Sequence, residues 1–396
     1  MVVNADPLAL PPVPPPAPAT HPRRDRVVAV LFALALAIPL AALALTWSRT
    51  MTLFEKRAMA PWPALEMTST YPPAFEHAFA DRFGGRDLLI RVHHAALLQF
   101  FGVSALSTVL PGNDGWYYWL GEDGHSLDRH FRGVEPFPKA WVDGTATELV
   151  RRRDWLAARG IAYVVAIVPE KFTIYPEHLP AWISASTQPS PHDRIVAALA
   201  NSGVALLDLR PALRDAKARD RVYYQTDSHW NYLGAMVGYD AIMRAVQRAL
   251  PAQALPDIVP ARRPPYAPGV DFYSGDLTGM LGLPGRIREH DVAPLGKVLA
   301  DTASRCAKRS NAASPPDIEI YACDRPGLPR AVVFRDSMAV PLIPMLAENF
   351  SRVVFVSSRA FDIALIAREK PDVVIEEMVE RTIHEPGARP MTIPEK

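Results

Sequence analysis

The amino-acid sequence predicts an α/β fold built on a doubly wound parallel sheet. From about residue 140 onwards, short apolar runs typical of strands alternate with longer segments typical of helices. Residues 161–168 form one of these runs and are apolar throughout, as expected of a strand that is buried on both faces of a parallel sheet. Alternation of this kind favours parallel strands joined by short right-handed crossovers.

Composition narrows the function classes. Hydrophobic residues make up 49% of the 396 residues, which is ample for a large core, and 43 basic residues nearly balance 42 acidic ones. This balance argues against a nucleic-acid-binding protein, since such proteins usually carry a basic patch or a high pI. The sequence contains no glycine-rich phosphate loop and no Cys/His cluster, so no cofactor and no bound metal are expected.

The N-terminal part is predicted to hold a tail and a membrane anchor. Residues 1–26 are rich in proline and are expected to form a disordered cytoplasmic tail. Residues 27–48 are uncharged, and the apolar run from Val27 to Leu45 is long enough to nearly cross a hydrocarbon core of roughly 30 Å as a helix. Trp47 then falls where an interfacial aromatic residue is expected.

The basic residues before this run favour an anchor with its amino terminus inside the cell. Arg23, Arg24 and Arg26 precede the apolar residues, although Arg49 follows them and weakens the asymmetry. A cleaved signal peptide is the alternative, because residues 42–44 resemble a small-residue cleavage site. In both cases the remainder of the chain leaves the cytoplasm.

Residues 49–110 are predicted to be a connecting helical segment. Between Phe75 and Leu97 the apolar residues recur mostly three and four positions apart, which predicts an amphipathic helix with its apolar stripe against a core. At residues 112–118 a Gly/Asn/Asp turn leads into an aromatic strand, which is typical of a β-hairpin. Its aromatic side chains either pack the domain edge or stack on a sugar.

The α/β domain is predicted to span residues 111–396. Residues 251–330, rich in Pro, Arg and Gly, interrupt its alternation and are predicted to be an insertion that builds one wall of a cleft, with a second small domain as the alternative. The predicted elements are, in order, helix 147–159, strand 161–168, helix 193–201, strand 204–209, helix 232–250, and strands 331–334, 352–356 and 372–376.

The two cysteines, Cys306 and Cys323, flank a loop within the insertion. Outside the cytoplasm, a disulfide closing this loop is expected to contribute roughly 3 kcal/mol to stability. Two free thiols are the alternative. Neither cysteine has a nearby histidine that would lower its pKa, so a cysteine nucleophile is not expected.

Two distant stretches carry the residues of a serine nucleophile and its activating pair. Thr226–Asn231 contains Asp227 two residues before His229, and Ser337 follows directly on the predicted strand 331–334. Reactive groups in an α/β sheet gather at the carboxyl ends of the strands, and both stretches follow predicted strands. We therefore expect Ser337, His229 and Asp227 to act as nucleophile, general base and orienting carboxylate.

These stretches resemble the SGNH-like acyltransferases of the alginate O-acetylation group (AlgJ/AlgX) and their DHHW-type relatives. The matching residues are Asp227–Asn231, which read Asp-Ser-His-Trp-Asn, and Asp336–Ser337 before a proline-containing helix. The Gly-x-x-Gly-Trp element at residues 112–116 is also similar to the start of the catalytic fold in that group. The resemblance implies an SGNH-hydrolase-like (flavodoxin-like) sheet in which the order of the motifs is circularly permuted relative to ordinary SGNH hydrolases.

The resemblance also implies a function. It implies a single-pass inner-membrane protein whose periplasmic domain moves acetyl groups, through a serine ester, onto an exopolysaccharide or cell-wall polysaccharide. A multi-spanning membrane acyltransferase of the MBOAT type would supply the acetyl groups. The alternatives are a carbohydrate acetylesterase with the same three residues and a non-catalytic polysaccharide assembly protein.

Three further residues are expected to bind substrate: Arg381, Trp230 and Tyr273. A guanidinium at the end of strand 372–376, beside Glu380, is suited to holding a polysaccharide carboxylate, with a surface ion pair as the alternative.

Other roles remain open for the expected catalytic residues. Asp336 and Ser337 are both favoured helix caps, and Asp227 and His229 are possible metal ligands, although no third ligand stands out. Arg335 stands where the hydrolase motif has glycine, which leaves the oxyanion geometry open.

Overall fold

The computed structural model describes residues 22–46, 59–65, 69–134, 138–251, 272–290, 306–309, 315–325, 327–358 and 360–384. Most of the expected proline-rich tail, Trp47 and much of the expected insertion lie outside these residues. The chain divides into two units, Met1–Ile90 and Arg91–Lys396.

The first unit contains α1 (Pro22–Thr46), a helix of 25 residues. Among the described residues it is the one helix that is long and apolar enough to cross a membrane, and it begins five residues before the predicted span. From Val27 onwards its sequence is almost entirely apolar and gives it no polar face, as expected of a membrane-spanning helix.

The connecting segment forms two helices where one was predicted: α2 (Tyr71–Arg82) and α3 (Arg86–Ala96). The break falls at Gly85, whose φ of +80° is left-handed and interrupts the helical path. The prediction of a buried apolar stripe is also wrong in part, because Leu88 and Leu89 are 65% and 54% exposed.

The second unit is built around a seven-stranded sheet with the order β4-β3-β11-β9-β10-β8-β7. Its strands are β3 (Ala162–Val168), β4 (Ala205–Asp208), β7 (Cys306–Lys308), β8 (Ile318–Cys323), β9 (Arg330–Phe334), β10 (Arg352–Val356) and β11 (Val373–Val379). The five strands from β4 to β10 are parallel, which confirms the predicted sheet. Strands β8 and β7 extend it in the antiparallel sense, and both come from the segment predicted to be an insertion.

Helices cover both faces of the sheet because its strands are apolar on both sides. In β3, Val164, Ala166 and Val168 face one core, whereas Tyr163, Val165 and Ile167 face the other. The helices are α4 (Lys139–Ala157), α5 (Lys171–Ile174), α6 (Pro191–Leu199), α7 (Arg210–Lys217), α8 (Tyr232–Ala249), α9 (Asp276–Met280), α10 (Ile343–Ala347) and α11 (Ile363–Glu369).

Helices α4 and α7 differ from the prediction, and the short helices α5 and α9 were not predicted. Helix α4 begins eight residues early, directly after Pro138, and helix α7 was not predicted. Helix α7 has eight residues, with Leu213 and Ala216 buried on one face, and is too short for an apolar pattern to be recognised over a window of about 11–18 residues.

Two short antiparallel pairs flank the sheet. Strands β1 (Val109–Pro111) and β2 (Tyr117–Trp119) form the predicted hairpin, and β5 (Phe272–Tyr273) pairs with β6 (Glu289–His290). In the hairpin Trp116 and Tyr118 are buried, which favours the packing role over sugar stacking for these two rings.

The expected disulfide joins the edge strand β7 to its neighbour β8. Cys306 in β7 lies directly opposite Cys323 in β8, and the two are disulfide-bonded over a sequence separation of 17 residues. The bond closes a loop that includes the chain between the strands, so it restricts the unfolded chain in the way expected from the sequence.

Replacing both cysteines, C306S together with C323S, is expected to lower the free energy of unfolding by about 3 kcal/mol, because the unfolded chain regains the entropy of an open loop. Chemical denaturation in detergent measures the change. The wild-type protein under reducing conditions should match the double variant, and a reduced wild type as stable as the oxidised one would contradict the expectation.

Candidate active site

A cavity of about 650 Å³ opens at the carboxyl ends of the parallel strands. Its lining includes Ser337, which follows β9, Arg381, which follows β11, and His229. The sequence prediction placed His229 on the loop directly after β4, but helix α7 intervenes and His229 lies on the loop between α7 and α8. These three side chains nevertheless converge at the carboxyl ends of the strands, as expected.

The loop that carries His229 is held in place by two residues of its motif, Trp230 and Asn231. Asn231 is the N-cap of α8, and its side-chain oxygen accepts a hydrogen bond of 3.0 Å from the Gly234 amide. The indole nitrogen of Trp230 donates a hydrogen bond of 2.7 Å to the carbonyl oxygen of Met338. Trp230 therefore joins the His229 loop to the residue next to Ser337.

The expected role of Trp230 in substrate binding is wrong. Its side chain is 1% exposed and cannot reach a ligand in the cavity. Its large ring instead fills the space above Gly238 of α8, where even a single added carbon atom would lie 2.6 Å from the ring.

The three expected catalytic side chains form one hydrogen-bonded chain. His229 Nε2 lies 2.9 Å from Ser337 Oγ, and His229 Nδ1 lies 2.6 Å from Asp227 Oδ1. Ser337 is exposed to the cavity, whereas Asp227 is 3% exposed. A hydroxyl at the surface, an imidazole behind it and a buried carboxylate behind that are the arrangement required for base-activated nucleophilic attack.

The electrostatic interaction between Asp227 and His229 favours a proton on the imidazole. Burial acts in the opposite direction, but the hydrogen bond with His229 and its charge hold the pKa of Asp227 well below its ordinary value. Burial likewise opposes the charged form of His229, yet Asp227 raises the pKa of His229 above its ordinary value. An imidazole with a raised pKa is a stronger base toward Ser337.

The capping alternative holds for Asp336 and not for Ser337. Asp336 Oδ1 accepts a hydrogen bond of 2.8 Å from the Met338 amide at the start of the 3₁₀ turn Ser337–Leu342, and Oδ2 accepts one of 2.7 Å from the Val379 amide. Because Asp336 supplies the cap, the Ser337 hydroxyl is available to His229. Within the described part of the chain, the Ser337 amide has no acceptor.

Arg335, which replaces the glycine of the hydrolase motif, is directed to the neighbouring edge of the sheet. Its guanidinium pairs with Glu319 of β8 at 3.0 Å and donates to the carbonyl oxygen of Asp336 at 3.3 Å. The antiparallel extension of the sheet thus supplies the partner that this arginine requires.

Residues of the predicted insertion hold the Asp227 loop in place. The Tyr273 hydroxyl donates to Asp227 Oδ2, which also accepts a hydrogen bond of 3.0 Å from the Asp276 amide. The Tyr273 ring stacks on Tyr224 at 4.4 Å. Tyr273, expected to bind substrate, therefore orients the carboxylate, and the insertion does build one wall of the cavity through Asp276.

Glu289 and Lys171 complete this support, and neither was predicted. Glu289 accepts hydrogen bonds from the amides of Gln225 and Thr226 at 2.8 and 2.7 Å. The Lys171 ammonium is buried and donates to three loop carbonyl oxygens, the closest being that of Asp227 at 2.6 Å. Burial lowers the pKa of Lys171 to about 8. The sequence signal for Lys171 was its position directly after the end of β3.

Arg381 lies in the wall of the cavity, 18% exposed, and its partner is buried. Its Nη1 donates a hydrogen bond of 2.6 Å to Oε1 of Glu170, which is 2% exposed. Because Glu170 is buried, this contact is not the surface ion pair that the sequence offered as the alternative role of Arg381. Glu380, expected to share the cleft, is 1% exposed and instead accepts hydrogen bonds from Glu170 N and Thr173 Oγ1.

Asp276 gives Asp227 and His229 the third neighbour that was not recognised in the sequence. One ligand atom from each of the three lies within 4.8 Å of the others. Hydrogen bonds already occupy these atoms, since Asp227 Oδ1 holds His229 Nδ1 at 2.6 Å and Asp276 Oδ2 accepts from Ser228 Oγ at 2.6 Å. The expectation that no metal is bound stays a prediction.

Gly275 of the insertion packs closely against the backbone of the Asp227 loop. A Cβ there would lie 2.3 Å from the Thr226 carbonyl oxygen and 2.5 Å from the Asp227 amide. Since both are backbone atoms, G275A is expected to lower the free energy of unfolding by about 1–3 kcal/mol and to loosen the loop. Chemical denaturation and hydrogen exchange of residues 226–229 measure both effects.

Gly279, one turn along α9, supplies the matched control. Nothing lies within 4 Å of the position that an alanine methyl group would occupy there, so G279A should leave stability unchanged or raise it by about 0.5–1 kcal/mol through helix propensity. Equal behaviour of the two alanine variants would contradict the close contact at Gly275.

Comparison with known proteins agrees with this architecture. The family model described as "SGNH hydrolase-like domain, acetyltransferase AlgX" matches residues 109–308, just over half of the chain. The matched residues include Asp227 and His229, whereas Ser337 lies beyond them.

Relatives and a solved structure are also similar. The chain is 29% identical to the "Probable alginate O-acetylase AlgJ" of Pseudomonas syringae pv. tomato over 55% of this chain and 52% of that protein. It is 34% identical to the protein of the same name from Pseudomonas putida, over 44% of this chain and 42% of that one. The chain thus spans about half the length of the curated relatives it matches. The solved "O-Acetyltransferase Domain of Pseudomonas putida AlgJ" has 23% identity and a TM-score of 0.43, covering 72% of this chain and 94% of that chain.

The family match confirms the resemblance that the Asp227–Asn231 motif indicated. It also agrees with the parallel sheet and with the hairpin at residue 109, where the matched region begins. The chain therefore belongs to the family of SGNH hydrolase-like domains described as acetyltransferase AlgX.

Proposed function

We propose that this chain is a membrane-anchored O-acetyltransferase that moves an acetyl group, through an ester of Ser337, onto hydroxyls of a polysaccharide. The observation that carries the proposal is the hydrogen-bonded chain from Asp227 through His229 to the exposed Ser337 hydroxyl. Membership of the AlgX family and relatives named as probable alginate O-acetylases support a polysaccharide as the acceptor.

The reaction proceeds by double displacement. Ser337 Oγ attacks the carbonyl carbon of a donor acetyl ester while His229 Nε2 takes the hydroxyl proton, and His229 then returns this proton to the departing donor oxygen. A sugar hydroxyl next attacks the acetyl-Ser337 ester and gives its proton to His229. The bond to Ser337 Oγ breaks, and the same proton restores the serine hydroxyl.

Two groups assist these steps. Asp227 keeps the proton of the neutral imidazole on Nδ1, so that Nε2 faces Ser337 as the acceptor, and it stabilises the imidazolium that forms. The amide of Ser337 is placed to donate to the oxyanion of the tetrahedral intermediate, and loss of one such donor typically costs a factor of roughly a hundred or more.

Arg381 is the proposed site for a carboxylate of the acceptor. Glu170 occupies its Nη1, and in the described part of the chain its Nε and Nη2 donate to no partner. The remaining donors of a partly exposed guanidinium in the cavity wall suit a sugar carboxylate.

The proposed location is the periplasmic side of an inner membrane. Helix α1 provides the anchor, and the Cys306–Cys323 disulfide supports an oxidising compartment for the second unit. The one apolar helix among the described residues offers no path for an acyl donor, so a multi-spanning acyltransferase of the MBOAT type is the proposed partner that delivers acetyl groups.

An acetylesterase is the second candidate, because the exposure of Ser337 gives water the same access as a sugar. The two functions differ in the second displacement alone. Turnover of an acetyl ester that never depends on an oligosaccharide acceptor would favour the esterase, and acetylated oligosaccharide as the product supports the transferase.

S337A is expected to reduce acetyl transfer by about a thousandfold or more, because the nucleophile is lost. The measurements are acetylation of an oligosaccharide from a soluble acetyl ester and mass spectrometry of the acetylated peptide that contains Ser337. Ser351 precedes β10 and thus lies at the amino ends of the parallel strands, opposite to the cavity. It gives the matched control S351A. Persistence of transfer in S337A would show that Ser337 is not the nucleophile and would end the proposal.

R381K is expected to raise the KM for an acceptor that bears a carboxylate by about tenfold, because lysine keeps the charge beside Glu170 but lacks the additional donors. Lysine also avoids leaving Glu170 buried without a cation. Carboxyl-reduced oligosaccharide serves as the control acceptor in the same variant. Equal losses with both acceptors would contradict a carboxylate site.

A further inference from the structure

We propose that Asp276 is a second carboxylate of the active site, a positioning residue that acts on His229 from the side of the insertion and stabilises its imidazolium form. The inference rests on the proposed function, since it assigns a task to Asp276 within that reaction. Asp276 begins helix α9 (Asp276–Met280) and lies outside the Asp-x-His-Trp-Asn motif by almost fifty residues.

The contacts of Asp276 are all directed to the segment that carries the base. Its Oδ1 accepts a hydrogen bond of 2.8 Å from the Ser228 amide, and its Oδ2 accepts one of 2.6 Å from the Ser228 hydroxyl. Its own amide donates to Asp227 Oδ2 at 3.0 Å. Asp276 is thereby bonded to both residues that precede His229 in the chain.

These bonds hold the carboxylate beside the imidazole. Asp276 Oδ2 lies 3.6 Å from His229 Nδ1, on the same ring nitrogen that Asp227 Oδ1 approaches to 2.6 Å. The distance is too long for a hydrogen bond but short for two charges in a partly buried site. The ring nitrogen of His229 therefore faces two carboxylates, of which the motif contains one.

The side chain is placed for an electrostatic role as well as a structural one. Asp276 is 29% exposed and lines the cavity, whereas Asp227 is 5% exposed at the side chain. A residue needed for the loop alone would satisfy its carboxylate equally well away from the ring. Here the Ser228 hydroxyl anchors the oxygen that lies closer to His229.

The other charged groups around the pair act in known directions. Burial and the charge of Asp227 raise the pKa of Asp276. Burial lowers the pKa of His229 and both aspartates raise it, while the cation of Arg381 lowers it, and the net effect is a raised pKa. Lys171 and the Tyr273 hydroxyl also face these carboxylates. The charge of Asp276 thus adds to that of Asp227 in raising the pKa of His229.

The sign of the effect follows from the charge. The negative charge of Asp276 favours the protonated ring, so removing it lowers the pKa of His229, and the neutral base persists to lower pH. The same loss makes the imidazolium of the transition state less stable. D276N is therefore expected to move the acid limb of the kcat/KM profile to lower pH and to reduce the plateau by about tenfold.

The test compares the wild type, D276N and a matched control over the full pH range. Asparagine keeps the size of the side chain and an acceptor for the Ser228 amide. Asp240, an exposed residue of α8 paired with Arg244, gives the control D240N, which removes one negative charge far from the cavity. The control should show the wild-type profile. A D276N profile with an unshifted acid limb, whatever its plateau, overturns the inference and leaves Asp276 a structural residue.

A second measurement separates this inference from the proposed function. NMR titration of labelled histidine in the S337A background follows the His229 ring without any turnover, with the H229Q variant identifying its signal. A lower pKa of His229 in S337A/D276N than in S337A supports the role of Asp276, and an equal pKa overturns it. Acetyl transfer that persists in S337A ends the proposed function independently of this result. If D276N melts at a much lower temperature, D276E must keep the wild-type acid limb, or the inference fails.

Discussion

The candidate active site depends on one buried carboxylate, that of Asp227. A charged group with so little solvent exposure is tolerated when its oxygens are hydrogen-bonded, and four donors meet this one: the His229 amide and ring, the Tyr273 hydroxyl and the Asp276 amide. Two of these donors come from the loop itself and two from the insertion. The requirement to satisfy Asp227 therefore joins segments that are almost fifty residues apart in sequence.

The same loop is also held by hydrogen bonds from Lys171, Glu289 and Trp230. Lys171, which follows β3, donates hydrogen bonds to three carbonyl oxygens of the loop, and Glu289 accepts hydrogen bonds from two of its amides. Few polar backbone groups of the loop therefore remain to be solvated by water. Trp230 bonds the carbonyl of Met338 and sets the distance between imidazole and hydroxyl. Positions of the reacting groups thus follow from buried polar bonds and from the burial of one large ring.

The sheet places these groups and also explains Arg335. The carboxyl ends of the parallel strands β3, β9 and β11 lie on the same side of the sheet. Lys171, Ser337 and Arg381 follow these strands in turn. The antiparallel strand β8, which pairs with β10, supplies Glu319 as an ionic partner for the bulky Arg335. The disulfide between β7 and β8 closes the far side of this extension.

The sequence alone determined the parallel sheet and the apolar helix, predicted the three residues Asp227, His229 and Ser337, and offered the disulfide as one of two alternatives. Each left a local signal: continuous apolar runs, an uncharged stretch, a pair of cysteines, or a motif of adjacent residues. The tertiary structure decided the tasks of Trp230 and Tyr273 and the presence of Lys171, Asp276 and Glu289 around the loop. Such tasks depend on which polar groups become buried together, and residues that meet only after the chain folds leave no fixed spacing in its sequence.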